Sequence, residues 1–131
     1  MRLFLLSAIL SFSLLKGCQQ TVEQAQLESK ARDVSATAQG YISQAQTIHR
    51  AECIQDRTKP VCQTINQAVG AQNALLDAIE TYCGWPVRPT AEQLRTAAGT
   101  SCKRSQPSQE FLQNSISNLS AIMEDIKSSA K

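Results

Sequence analysis

Five cysteines, Cys18, Cys53, Cys62, Cys83 and Cys102, carry most of the reactive chemistry in this 131-residue chain. A thiolate can act as a nucleophile or a metal ligand, and two thiols can join as a disulfide. His49 is the sole histidine and lies four residues before Cys53, with Glu52 between them. That trio invites two sharp readings: a Cys53–His49 pair as an activated nucleophile, or His49, Glu52 and Cys53 as metal ligands. Both require a free Cys53 thiolate, and one helical stretch supplies too few ligands for a closed zinc site. An oxidised Cys53 removes both readings and leaves His49 a structural residue. No catalytic residue, metal or cofactor is therefore expected.

The other candidates are weaker still. Glu124 and Asp125 are adjacent in sequence, and neighbours on a helix do not face each other, so they make no acid/base dyad. Asn118-Leu119-Ser120 fits a glycosylation sequon but falls inside a helical pattern. The chain has no Gly-rich phosphate loop, no Ser/His/Asp set and no HExxH motif. The expectation is a non-catalytic protein. Trp85, in Gly84-Trp85-Pro86, is either a binding hot spot or the aromatic plug of a thin core, and the second is favoured because large aromatics dominate small cores.

Cys18 is set apart from the other four. Met1-Arg2 is a short positive start, and Leu3–Leu15 is an apolar run interrupted only by serines. A bilayer span needs roughly 20 apolar residues, so the run suits the h-region of a signal peptide rather than a transmembrane helix. Leu14-Leu15-Lys16-Gly17-Cys18 resembles the lipobox of bacterial lipoproteins, most closely at Leu15, Gly17 and Cys18. The resemblance covers only these first 18 residues. It implies cleavage before Cys18 and lipid attachment there. Gln19 in the next position implies sorting to the outer membrane, facing the periplasm, in an enteric-like host. An ordinary signal peptide cleaved elsewhere is the alternative. The lipoprotein reading is preferred because it leaves four cysteines, an even number suited to two disulfides.

Cleavage there takes Arg2 and Lys16 from the 13 basic residues and none of the 11 acidic ones, so the remainder is neutral overall. No basic stripe exists to neutralise phosphates, which argues against nucleic-acid binding.

The elements that must position the cysteines are helical. From Leu27 the apolar residues fall in a 4-3 rhythm: Leu27, Ala31, Val34, Ala38, Tyr41, Ala45, Ile48. This predicts a first helix reaching about Ile54. Asp56–Pro60 reads as a turn, with Pro60 opening a second helix. Its stripe is Cys62, Ile65, Val69, Gln72, Leu76, Ile79 and Cys83, widened by Val61, Ala68, Leu75 and Tyr82. Gly84 and Pro86 end it. Residues 84–107 form an excursion rich in Gly and Pro, with a capping box at Thr90-Ala91-Glu92-Gln93 that predicts a short helix near 91–98. A third long helix from about Ser108 carries Leu112, Ile116, Leu119, Met123 and Ile126. Three amphipathic helices bury their stripes most economically as an antiparallel hairpin with the third alongside. The expected fold is all-α: a coiled-coil-like three-helix bundle with a disulfide-closed loop excursion. The expected parts are a signal peptide at 1–17, a lipid anchor and stalk at 18–30, and a helical domain at 31–131.

Helix geometry then selects the disulfides. Cys62 and Cys83 would lie about 31 Å apart on one helix, and a disulfide needs Cα atoms within about 7 Å. In an antiparallel hairpin Cys53 sits at the turn and Cys83 at the opposite end, which excludes that pair too. Cys53–Cys62 and Cys83–Cys102 remain. Arg57 and Lys59 then mark the distal tip, away from the anchor, and with Trp85 they are the candidate binding residues.

Functionally the chain is expected to be a cell-envelope lipoprotein with a structural or protein-binding role. Its expected partners are the membrane, through the lipid, and an envelope protein. The alternative is a phage- or plasmid-encoded lipoprotein acting on the host envelope in lysis or exclusion, a resemblance of small lipidated format alone.

Overall fold

A computed structural model describes the backbone of residues 4–96 and 101–131, and the side chains of residues 22–96 and 101–131. The expectations for the leader's processing and for the Cys18 thiol lie outside the described residues, as do positions 97–98 of the short excursion helix. Five α-helices follow in order: α1 (Phe4–Ile48), α2 (Arg50–Gln55), α3 (Pro60–Cys83), α4 (Ala91–Thr96) and α5 (Gln109–Ser129), the last preceded by a 3-10 turn at Gln106–Ser108. No strand occurs among the described residues. None of the helices searched among them is long and apolar enough to cross a membrane.

The long helices α1, α3 and α5 form the bundle, with α4 laid against α1. Two side-chain bonds fix the direction of α3 relative to α1. Gln72 reaches Ser35, and Tyr82, ten residues further along α3, reaches Gln24, earlier on α1. The two helices are therefore antiparallel. On α5 the order is reversed: Arg104, just before it, meets Glu28, whereas Ser129 at its end meets His49. Helix α5 thus runs parallel to α1. The segment from Gln24 to Glu28, expected within the stalk, carries docking contacts.

Each apolar stripe has its place in this packing. Helix α3 touches both α1 and α5 and buries Ile65, Ala68, Leu75, Leu76, Ala78, Ile79 and Tyr82. Helix α5 buries Leu112, Ile116, Leu119 and Ile126, with Met123 partly covered. On α1 the fully buried positions are Ala31, Ser35, Ala38, Ile42 and Ala45. The expected stripe had Val34 and Tyr41 where the structure buries Ser35 and Ile42. Val34 and Tyr41 are half-buried beside them. A helix contacted by two partners needs a wider covered face than a single heptad seam, and i, i+3 and i+4 all lie on it. Small residues at 31, 35, 38 and 45 let the helices approach closely. Ile48 is 47% exposed rather than part of the stripe.

The reason is a break one residue later. The first helix was expected to reach Ile54 unbroken, but His49 leaves helical geometry with φ −100° and ψ 11°. The hydrogen bonds His49 N–H to Ala45 and Cys53 N–H to His49 span the break. The bend turns α2 toward the start of α3, where Cys53 and Cys62 are joined. Between them Asp56 Oδ1 accepts from both the amide and the hydroxyl of Thr58, a side-chain-closed turn, and Pro60 opens α3.

Helix α3 ends in a Schellman motif. Gly84 adopts φ 68°, its amide donates to Thr81, and the Trp85 amide donates to Glu80. A side chain at Gly84 would also press on Lys103, because a Cβ would come 2.9 Å from Lys103 Cδ. Cys83 is bonded to Cys102, closing the excursion. Within it Thr90 and Gln93 exchange side-chain-to-backbone bonds at 3.0 Å each, the expected capping box, and α4 follows.

Candidate functional site

Chemistry-bearing side chains gather at two ends of the bundle, and the two gatherings differ in kind. At the proximal end α1 supplies Glu28 and Arg32, one helical turn apart. Glu28 accepts from Arg32 at 3.1 Å with one oxygen and from Arg104 at 3.0 Å with the other. Arg32 also donates to the Leu94 carbonyl of α4 at 2.7 Å. Its guanidinium stands 5.6 Å from the centre of the Trp85 ring. The indole N–H of Trp85 donates to the Ser101 carbonyl at 2.7 Å. Leu94 is buried beneath this network, and burial of such a side chain contributes about 1.5–3 kcal/mol.

Arg104 holds a left-handed backbone, φ 55°, which costs a non-glycine residue about 1–2 kcal/mol. Its neighbours fix it there: the Lys103 and Ser105 amides donate to the carbonyls of Cys83 and Tyr82. The Tyr82 hydroxyl donates to the Gln24 carbonyl, and burial pushes its ionisation upward. Glu28, Cys83 and Cys102 place ligand-type atoms within 4.8 Å of one another. Their sulfurs are bonded to each other, so this trio offers no thiolate to a metal. Trp85 is thus occupied on its face and at its polar edge. The proximal gathering is a clamp in which Glu28, Arg32 and Arg104 are all paired.

The distal end is arranged otherwise. His49 has both ring nitrogens engaged: Nδ1 meets Glu52, and Nε2 lies 2.8 Å from the Ser129 carbonyl. Both partners are acceptors, so the doubly protonated ring satisfies both. The Glu52 bond first, then the Ser129 carbonyl, holds its pKa above the ordinary value. The same His49 bond, aided by Lys59 at 3.4 Å, holds Glu52 below its own. Asp56 is taken up by Thr58, whose two donors lower its pKa.

Beside this group opens a cleft of about 560 Å³, lined by Arg50, Arg57, His49, Ile54, Ile65 and the Cys53–Cys62 disulfide among others. Arg50 and Arg57 are exposed and pair with no carboxylate among the described residues. Ile54 is 72% exposed at the same place. Comparison with protein-family models, curated proteins and solved structures finds no match to this chain.

Of the residues singled out from sequence, Cys53, Cys62, Cys83 and Cys102 are paired as the helix geometry required. Arg57 lines the cleft, and Lys59 is drawn to Glu52. Trp85 belongs to the opposite end. Sequence reasoning missed Arg50 and Ile54 in the cleft, and Glu28, Arg32, Leu94 and Arg104 in the clamp. A signal for Arg50 existed: it lies three residues before Cys53 on one helix, which brings it to the side of the disulfide.

A third polar feature lies mid-bundle. The Gln72 amide nitrogen donates to the main-chain carbonyl of Ser35 at 3.1 Å and its hydroxyl at 3.0 Å, in a buried setting. Its oxygen has no partner among the described residues.

Proposed function

We propose that this chain is a non-catalytic cell-envelope lipoprotein, held to a membrane through Cys18, whose helical body presents its distal end to another protein. The observation that carries this reading is the contrast between the two ends. Glu28, Arg32 and Arg104 at the proximal end are engaged in holding the fold, whereas Arg50, Arg57 and Ile54 beside the distal cleft are left for solvent or a partner. From Gln24 to His49, α1 spans roughly 38 Å, so the cleft stands well away from the anchored end. Two disulfides support the reading as well, because such bonds persist outside the reducing cytoplasm.

The anchor and the partner are tested separately. Labelled palmitate should enter the wild-type chain in cells and not Cys18→Ser. Equal labelling of the two refutes the anchor. A photo-crosslinking residue at position 54 should capture an envelope protein in cells, and one at position 95 should not. Capture at position 95 alone refutes the distal assignment.

A further inference from the structure

We infer that the distal cleft is a binding site for a short acidic peptide segment bearing an apolar side chain, supplied by the protein partner. The inference rests on the protein-binding reading above and names the chemistry of that partner. Charge is the first argument. Three cationic side chains, Arg50, Arg57 and Lys59, stand at the tip beside His49. Glu52 serves His49 and Lys59 together, and Asp56 is closed on Thr58. The local carboxylates are therefore spent, and Arg50 and Arg57 keep their donors for an outside acceptor. A guanidinium pairs with a carboxylate through two parallel bonds, which gives direction as well as attraction.

The cleft floor supplies the second argument. Ile54, Ile65 and the Cys53–Cys62 sulfurs make part of it apolar, among the polar Ser43, Gln46, Thr47 and Asn66. A bare anion would leave that floor wet. A carboxylate-bearing side chain next to an aliphatic one covers both the charge and the floor. The third argument is rigidity. The disulfide, the Asp56–Thr58 turn and the His49–Ser129 bond fix the cleft walls before any partner arrives, which lowers the ordering cost of association.

The test uses the full chain in detergent micelles and a fluorescein-labelled peptide of alternating Glu and Leu. Peptides of alternating Gln and Leu, and of alternating Glu and Ser, are the controls, read by fluorescence anisotropy. The Glu/Leu peptide should bind at least tenfold more tightly than either control. Arg50→Ala with Arg57→Ala should weaken it at least tenfold while leaving the thermal midpoint unchanged, since both side chains are exposed. Arg95→Ala, which removes a cation at the other end, should leave it unchanged.

Binding that survives the double substitution overturns the inference. So does no binding of the Glu/Leu peptide to the wild type, or binding of phosphatidylglycerol vesicles that the double substitution abolishes while the peptide is ignored. Loss of the peptide site with Cys18 still lipidated leaves the anchored-lipoprotein reading standing. Peptide binding at the cleft of a chain with no lipid on Cys18 does the reverse.

Discussion

The amide nitrogen of Gln72 bridges the carbonyl and the hydroxyl of Ser35, and the two buried residues lock α3 against α1 in one register. Ser35 is fully buried and Gln72 nearly so. The orientation of the amide is fixed, because a carbonyl can only accept. Its oxygen is left without a partner among the described residues, and a buried polar atom in that state costs about 1–3 kcal/mol. The pair therefore serves register more than stability. Replacing both residues, Ser35→Ala with Gln72→Leu, should hold or raise stability in urea unfolding, within about 1 kcal/mol. Gln72→Glu should lower it by several times that, since an unpaired charge would be buried. A double variant that unfolds far more easily than wild type would refute the assignment.

His49 ties the bend after α1 to the end of α5, and this bond depends on pH. Its pKa is raised in the folded protein above the ordinary 6.5, so its contribution is complete below that value and is lost as pH rises through the elevated one. Glu52 is depressed below its ordinary 4.5, so its contribution holds above that value and fails as pH falls through the lowered one. The thermal midpoint of wild type relative to His49→Gln should therefore differ most between these limits and converge toward alkaline pH. A constant difference from about pH 5 to about pH 9 would contradict the linkage.

Arg32 joins three elements at once: Glu28 on its own helix, the Leu94 carbonyl of α4 and the Trp85 ring. Arg32→Ala should release α4 and expose Trp85, seen as a red-shifted tryptophan emission and faster amide exchange at residues 91–96. Arg32→Lys should recover little of this, because an ammonium lacks the planar fork that reaches several acceptors. Full recovery by lysine would show that charge alone holds the clamp.

The two disulfides should have unequal effects when removed. Cys53→Ser frees a short turn still closed by Asp56 and Thr58 and bridged by Lys59 to Glu52. Cys102→Ser frees a longer excursion whose retention then falls to Leu94, Trp85 and Arg104. Limited proteolysis should cut residues 84–107 faster in Cys102→Ser than in Cys53→Ser. Equal digestion there would mean that the side-chain clamp suffices without the disulfide.

Local rules read from sequence carried far in this chain. The glycine that ends α3, the capping box of Thr90 and Gln93, the apolar stripes of α3 and α5 and both disulfides follow from spacing and rise per residue. These are decided within a few residues, or by the length of one rod. Ser35 and Ile42 displaced Val34 and Tyr41 because the covered width of α1 depends on how many helices flank it, which no single helix encodes. The clamp was hidden for a related reason. Arg32 and Leu94 are 62 residues apart, and Glu28 and Arg104 are 76 apart. They meet only because the bundle register and the left-handed turn at Arg104 bring them there. The bend at His49 escaped notice because histidine is not a helix breaker. Its Nδ1 bond to Glu52 is local, and its Nε2 bond to Ser129, 80 residues on, arises from tertiary placement.

Both disulfides sit at the two ends of α3, and that placement decides how the chain would respond to a pull. Residues 53–62 and 83–102 are each spanned by a covalent bridge, with separations of 9 and 19 residues. Under tension applied between the two termini, those segments cannot lengthen however completely the helices come apart. At the extended rise of about 3.3 Å per residue, on the order of 90 Å of contour is withheld from stretching. A reductant would return that length in two steps of unequal size, the longer from the excursion and the shorter from the tip. A chain loaded between its two termini would therefore reach its limit early and stay short while both bridges remained oxidised.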